Sequence, residues 1–200
     1  MAIVLRYKQI PHQILPPPNG YGSPEYKLVV PTGKIPGLID GELVLSESEA
    51  INEYLEEQYP NPVMLPGEPK KRAQLRQLSR HHDLAVEPII RSLFGQVSPQ
   101  TRNTEVLQTK AAELQKQLNM LADLADPQPF LLTAEMSLAD VGYAPTLLLG
   151  ELMWECFGMH WDLPSRLQEW QLTLRQVPAV AETLREARES TVTWIASKQG

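Results

Sequence analysis

A chain of 200 residues with 42% apolar content can bury a sizeable core, as one large domain or as two small ones. A formal charge of −6 and a pI near 5.3 argue against a nucleic-acid role, because affinity for phosphates is supplied by Lys and Arg, and the short run Lys70-Lys71-Arg72 reads as a solvated helix start. With no membrane-length apolar run, no signal-peptide pattern at the N-terminus and a single cysteine, Cys156, that excludes an internal disulfide, the expected location is the cytoplasm.

In chain order, the first 65 or so residues have the texture of strands and turns. The segments HQIL (12–15), YKLVV (26–30), GLID (37–40) and LVL (43–45) read as strands, with Asp40-Gly41 as a hairpin signal between the last two. PPPNGYGSP (16–24) reads as a loop. From Ser46 the spacing turns helical through Ala50, Ile51, Tyr54 and Leu55, and stops near Tyr59-Pro60. A proline-rich stretch, YPNPVMLPGEP, then marks a boundary between a domain at 1–62 and a second at 68–200.

The second domain reads as all helix. Residues 70–94 carry Leu75, Leu78, Leu84 and Ala85, with Pro88 ending or kinking the helix. A stripe of Val106, Ala111, Leu114, Leu118 and Leu121 predicts the next helix, and three more follow over 137–155, 163–177 and 178–197. The fold class is therefore α+β, a small α/β domain followed by a helical bundle.

Two features of the first domain point to chemistry. Ile35-Pro36 lies in a strand-like run, where a cis bond would turn the chain and leave the N–H and C=O of Ile35 for an extended peptide ligand; an ordinary edge or turn proline is the alternative. Ser46 and Glu49 have the spacing of a capping box at a helix start, where unpaired N–H groups welcome an anion. Ser48 offers its N–H and hydroxyl to a ligand carboxylate, and Glu47 offers its carboxylate to a ligand ammonium. A peptide with a free α-amino and α-carboxylate end, the layout of glutathione, fits Glu47, Ser48 and Ile35 together; a plain capped helix is the alternative.

These residues resemble a known family. GKIPGLIDGELVLSESEAINEYLEEQYP (33–60) is similar to the glutathione-binding core of cytosolic glutathione S-transferases, SPEYKLVVPTGKIP (23–36) to the loop before it, and SLADVGYAP (137–145) and VPAVAETL (177–184) to segments of the family's helical domain. The resemblance implies a thioredoxin-like N-terminal domain, an all-helical C-terminal domain and a homodimer. It implies conjugation of the glutathione thiolate, as co-substrate, to a small hydrophobic electrophile, a detoxification reaction that uses no metal. In this reading Ile35, before Pro36, pairs with the cysteinyl part of glutathione, Glu47 and Ser48 hold the γ-glutamyl end, and Lys34 reaches the glycyl carboxylate. Ser137 and Asp140 are structural, a second capping box with Met136 and Val141 as its hydrophobic staple.

The chain also departs from the family. VLRYKQIPHQ (4–13) resembles the end of the family's first helix, so the first strand and the thiol-activating residue are expected before Met1, unless AIVLRY (2–7) supplies the strand itself. The catalytic residue is unassigned: Tyr7 lies too far along the helix, and Tyr21 and Ser23 sit in a loop. Val30 stands where many relatives place Asn. These departures keep a second expectation open, a non-catalytic binding or scaffold protein of the same fold. His81 and His82, adjacent on a helix, diverge and predict no metal site. Trp154, Cys156, Phe157, Met159 and Trp161 read as packing or as a wall of the electrophile pocket, with His160 as the local candidate to activate Cys156.

Overall fold

The computed structural model describes residues 1–199, and the chain divides into two compact units, Met1–Met64 and Leu65–Gly200. The N-terminal unit is thioredoxin-like and the C-terminal unit is helical.

In the first unit, α1 (Ala2–Tyr7) is a helix rather than a strand. It ends in a Schellman motif: Gln9 takes φ 54, its N–H bonds the C=O of Arg6, and the N–H of Ile10 bonds the C=O of Leu5. HQIL forms no strand. Pro11 and Pro16 to Pro18 bracket it without donors, and Ile14 and Leu15 are exposed. YKLVV is a second departure from expectation, because most of it lies in α2 (Pro24–Val29). Ser23 accepts the N–H of Tyr26 as N-cap, Pro24 sits at N1 and Glu25 in the first turn, a start signal that outweighs the β-propensity of Val29 and Val30.

Strands β1 (Gly37–Asp40) and β2 (Leu43–Ser46) pair antiparallel with Leu38 opposite Leu45 and Ile39 opposite Val44. Gly41, the first of two loop residues, has φ 58, as a type II′ connection requires. Helix α3 (Ser48–Gln58) follows, packing Ile51 and Leu55 toward α1, and Ile3, Val4, Leu5, Tyr26, Val30, Ile51 and Leu55 are all buried.

A buried cation closes this unit. The Lys8 side chain has no exposed area; its ammonium donates to the C=O of Tyr59 and of Pro62, both at 2.7 Å, and pairs with Glu56 Oε2 at 2.6 Å. Glu56 in turn accepts the N–H of Met64 at 2.9 Å. One lysine at the end of α1 thus satisfies the carbonyls beyond the end of α3, which have no helical partner.

The helical unit begins with α4 (Pro69–His81), a π turn (His82–Val86) and α5 (Glu87–Ser92). The expected break at Pro88 is therefore a π turn closed by Glu87 N–H to the C=O of His82, just before the residue that lacks an N–H. Helix α6 (Thr104–Leu124) buries Leu107, Leu114, Leu118 and Leu121, so Leu107 occupies the core-facing position expected of Val106. A short α7 (Leu138–Val141) leads through Gly142 into α8 (Tyr143–Phe157), followed by α9 (Ser165–Gln176) and α10 (Pro178–Gln199), which packs on α8 and α9. All four tryptophans lie in this unit, and five of the six tyrosines lie in the first.

Candidate functional site

The residues singled out in the first domain come together within the N-terminal unit. The loop after α2 descends through Thr32, whose hydroxyl accepts the N–H of Lys34, to the Ile35-Pro36 bond, which is cis. Ile35 is 60% exposed, and among the described residues its N–H and C=O have no hydrogen-bond partner. Across from it, β2 runs into α3 through Glu47. Lys34 Nζ and Glu47 Oε1 lie 3.6 Å apart, both side chains about two-thirds exposed. Two charged groups thirteen residues apart thus face each other at the rim of the helix start.

The Ser46 and Glu49 capping box is not formed. Ser46 ends β2, the N-cap is Glu47, and no side chain caps α3. The reason is local: Glu47 adopts φ 73 and ψ 113, a conformation sparsely populated by residues with a Cβ, so the helix starts one residue later than the spacing implies. The first turn of α3 then presents the N–H and hydroxyl of Ser48, which among the described residues make no hydrogen bond. Positive φ at Glu47 predicts that Glu47→Gly raises the stability of the protein by about 1 kcal/mol in urea unfolding, because glycine tolerates this backbone. A loss of stability would show that the conformation is relaxed.

Three other hydroxyls of the unit, those of Ser23, Tyr26 and Tyr54, are committed elsewhere. Ser23 caps α2 and donates to the C=O of Pro18 at 2.6 Å, and Tyr26 donates to the C=O of Lys34 at 2.9 Å. Tyr54 donates to Asp40 Oδ2 at 2.6 Å, which raises its pKa through that hydrogen bond first. Tyr21 stands in the exposed loop. Val30 is buried: a Cβ built on Gly37 would fall 2.6 Å from Val30 Cγ2, so this position packs an aliphatic group beneath the hairpin.

In the helical unit Ser137 and Asp140 form the expected capping box, with Ser137 N–H and Oγ–H both donating to Asp140 Oδ2 at 2.8 Å. Asp140 does more than cap: its Oδ1 accepts the N–H of Leu131 and Trp170 Nε1–H, each at 2.9 Å. Burial pushes the carboxyl up to about 6, against the four donors that pull it down. Met136 and Val141 are both buried.

His81 and His82 diverge. His81 bridges Tyr143 and Gln117, and burial lowers its pKa; His82 spans Asp83 Oδ1 at 2.9 Å and Thr146 Oγ1 at 2.8 Å. The π turn stacks Glu87 over His82, so ligand atoms of His82, Asp83 and Glu87 fall within 4.8 Å of one another. This grouping was not foreseen from the adjacent histidines. Each carboxylate is matched by an arginine, Asp83 by Arg80 at 3.0 Å and Glu87 by Arg91 at 2.7 Å, so the cluster carries no excess negative charge that calls for a cation.

Trp161 stacks edge-on against Trp154, with centroids 5.3 Å apart. The cationic neighbour of Cys156 is Arg102, which precedes α6: its Nη2 lies 3.4 Å from the sulfur while the guanidinium covers Phe157. His160, the local candidate, is replaced by a residue 54 positions away.

The fold and site define a thioredoxin-like unit with a cis-proline loop, followed by an all-helical unit. Within that class the sequence is similar to one family: residues 1–63 match the family described as "Glutathione S-transferase, N-terminal domain". The chain is 38% identical over 69 residues to glutathione S-transferase Z2 of Arabidopsis thaliana, covering 34% of this chain and 30% of that one. It is 28% identical over 149 residues to a stringent starvation protein A homolog of Haemophilus ducreyi, covering 74% and 66%. These two alignments thus span between 30% and 66% of the relatives' length. Among solved structures, a tau class glutathione S-transferase from mango, Mangifera indica, superposes with a TM-score of 0.80 at 20% identity over 96% of this chain and 90% of that one. A theta class glutathione S-transferase from Xanthomonas axonopodis pv. citri, with glutathione bound, superposes with a TM-score of 0.75 at 24% identity over 92% and 89%. Among the described residues no helix is long and apolar enough to cross a membrane.

Proposed function

We propose that this protein binds glutathione at the N-terminal unit and joins its thiolate to a small hydrophobic electrophile. The observation that carries the reading is the meeting of two segments, the loop of Lys34, Ile35 and Pro36 and the strained start of α3 at Glu47 and Ser48. In this reading the γ-glutamyl carboxylate takes the N–H and hydroxyl of Ser48 at the positive end of the helix, and its ammonium takes Glu47. The cysteinyl segment lies along the free backbone groups of Ile35, as an added strand does. Lys34 exchanges its contact with Glu47 for the glycyl carboxylate. Catalysis then consists of holding the sulfur as thiolate and placing the electrophile against it; the new C–S bond forms as the leaving group departs with its electron pair. The names of the relatives support this, several being glutathione S-transferases and one, of Pseudomonas aeruginosa, maleylacetoacetate isomerase. A cytoplasmic homodimer is part of the same proposal.

A second reading, glutathione binding without transfer, is favoured by two observations. The hydroxyls of Ser23 and Tyr26 are committed to the fold, and the relatives include stringent starvation protein A homologs, whose name denotes no transfer reaction. One titration series separates the two. Calorimetry with glutathione gives binding to the native protein, and Ser48→Ala weakens it about tenfold, the worth of a hydrogen bond to a charged group. Unchanged affinity in Ser48→Ala refutes the placement of the γ-glutamyl end. Turnover of 1-chloro-2,4-dinitrobenzene in the same samples supports the transferase, and binding without turnover supports the second reading.

A further inference from the structure

We propose that Tyr26 is the positioning residue that aims the Ile35 backbone at a peptide ligand, an inference that rests on the glutathione-binding reading above. The residue is only 6% exposed, and its hydroxyl donates to the C=O of Lys34 at 2.9 Å. The carbonyl of Lys34 and the N–H of Ile35 belong to one planar trans peptide group, so they point in opposite directions and turn together. Anchoring the oxygen to Tyr26 directs the Ile35 N–H away from the core, at a residue that is 60% exposed.

The anchor is itself fixed. The Tyr26 N–H donates to Ser23 Oγ at 2.9 Å, and its C=O accepts from Val30 at 2.8 Å, which sets the position of the ring on α2. On the far side of the cis bond, a Cβ built on Gly37 would lie 3.1 Å from the Tyr26 hydroxyl. One phenol therefore stands on both sides of Ile35-Pro36, hydrogen-bonded to Lys34 and filling the space that a side chain at residue 37 would enter. Glycine at 37 leaves the room that this approach needs.

The test is Tyr26→Phe, which keeps the ring and removes the hydroxyl. Calorimetry with glutathione is expected to show a loss of affinity of about tenfold, the worth of one hydrogen bond's ordering of the peptide plane. Binding of γ-glutamyl-p-nitroanilide, which has the γ-glutamyl end but no cysteinyl-glycine segment, followed by NMR titration, is expected to stay unchanged. Tyr54→Phe serves as the structural control, since it removes a phenol hydroxyl bonded to Asp40 in the same unit but leaves the Tyr26 hydroxyl and its support in place, and is expected to bind glutathione as the native protein does. Unchanged glutathione affinity in Tyr26→Phe overturns the inference, as does equal weakening of both ligands or an equal loss in Tyr54→Phe. Failure of the native protein to bind glutathione overturns the underlying reading, and the inference with it.

Discussion

Lys8→Met destabilises the N-terminal unit by about 3 to 5 kcal/mol, the usual cost of removing one partner from a buried ion pair. The substitution keeps the aliphatic length of the side chain, so the effect isolates the charge. It takes the ammonium away from the buried Glu56 carboxylate, and it leaves the carbonyls of Tyr59 and Pro62 without their donor. Hydrogen exchange followed by mass spectrometry localises the loss, with faster exchange expected in α1 and α3 of the full chain and little change in α8 to α10. Replacing Glu56 by Met as well is expected to recover part of the stability, because the buried carboxylate that lost its ammonium leaves with it, while the two carbonyls stay unmatched. A cost under about 1 kcal/mol in the single variant would mean that water takes over the role of the ammonium.

The second large effect is expected in the other unit. Asp140→Asn costs about 3 kcal/mol, because four donors converge on a carboxylate and an amide offers one oxygen where two stood. Whichever way the amide is turned, its NH2 faces donors. Trp170 donates directly to this group and all tryptophans lie in the helical unit, so urea unfolding followed by tryptophan fluorescence reads the change where it occurs. The sign of the pH dependence follows from the raised pKa. The folded state holds a proton up to about pH 6, whereas the unfolded carboxyl loses it near its ordinary value of 3.8, so between those limits the native state binds more protons. The contribution of Asp140 to stability therefore falls as pH rises through that window. The stability difference between the native protein and Asp140→Asn is expected to widen as pH is lowered from about 7 to 4. A constant difference would show that the four donors outweigh burial and keep the group ionised throughout.

What was legible in the sequence was local. Asp40-Gly41 between two short apolar runs announced the hairpin, Ser137 and Asp140 announced their capping box, and Pro88 announced a break, because each is decided by neighbours a few residues away. The readings that failed were mostly those in which two local signals competed. At Ser23-Pro24-Glu25 a helix start overrode the β-branched residues that follow, and at Glu47 one unusual backbone angle shifted the start of α3 past the Ser46 box. Contacts between distant residues were beyond reach. Lys8 with Glu56, and Arg102 with Cys156, lie 48 and 54 positions apart, and nothing in the spacing of either partner marks the other. In the candidate site the residue types were readable, but the 3.6 Å approach of Lys34 to Glu47 and the hydroxyl of Tyr26 beneath Lys34 required the fold.

The π turn between α4 and α5 changes how the surrounding sequence is to be counted. On a straight α-helix the buried residues Leu78 and Ile90, twelve positions apart, would stand about 120° apart around the axis. A π turn absorbs one residue without advancing the helix, and with eleven effective steps the same two side chains fall within about 20° of each other. The turn is thus a phase correction of one residue, which allows two helical segments written in different frames to present a single apolar face. Helical-wheel comparisons across His82–Val86 must restart their count there, or they will assign core positions to solvent and solvent positions to the core.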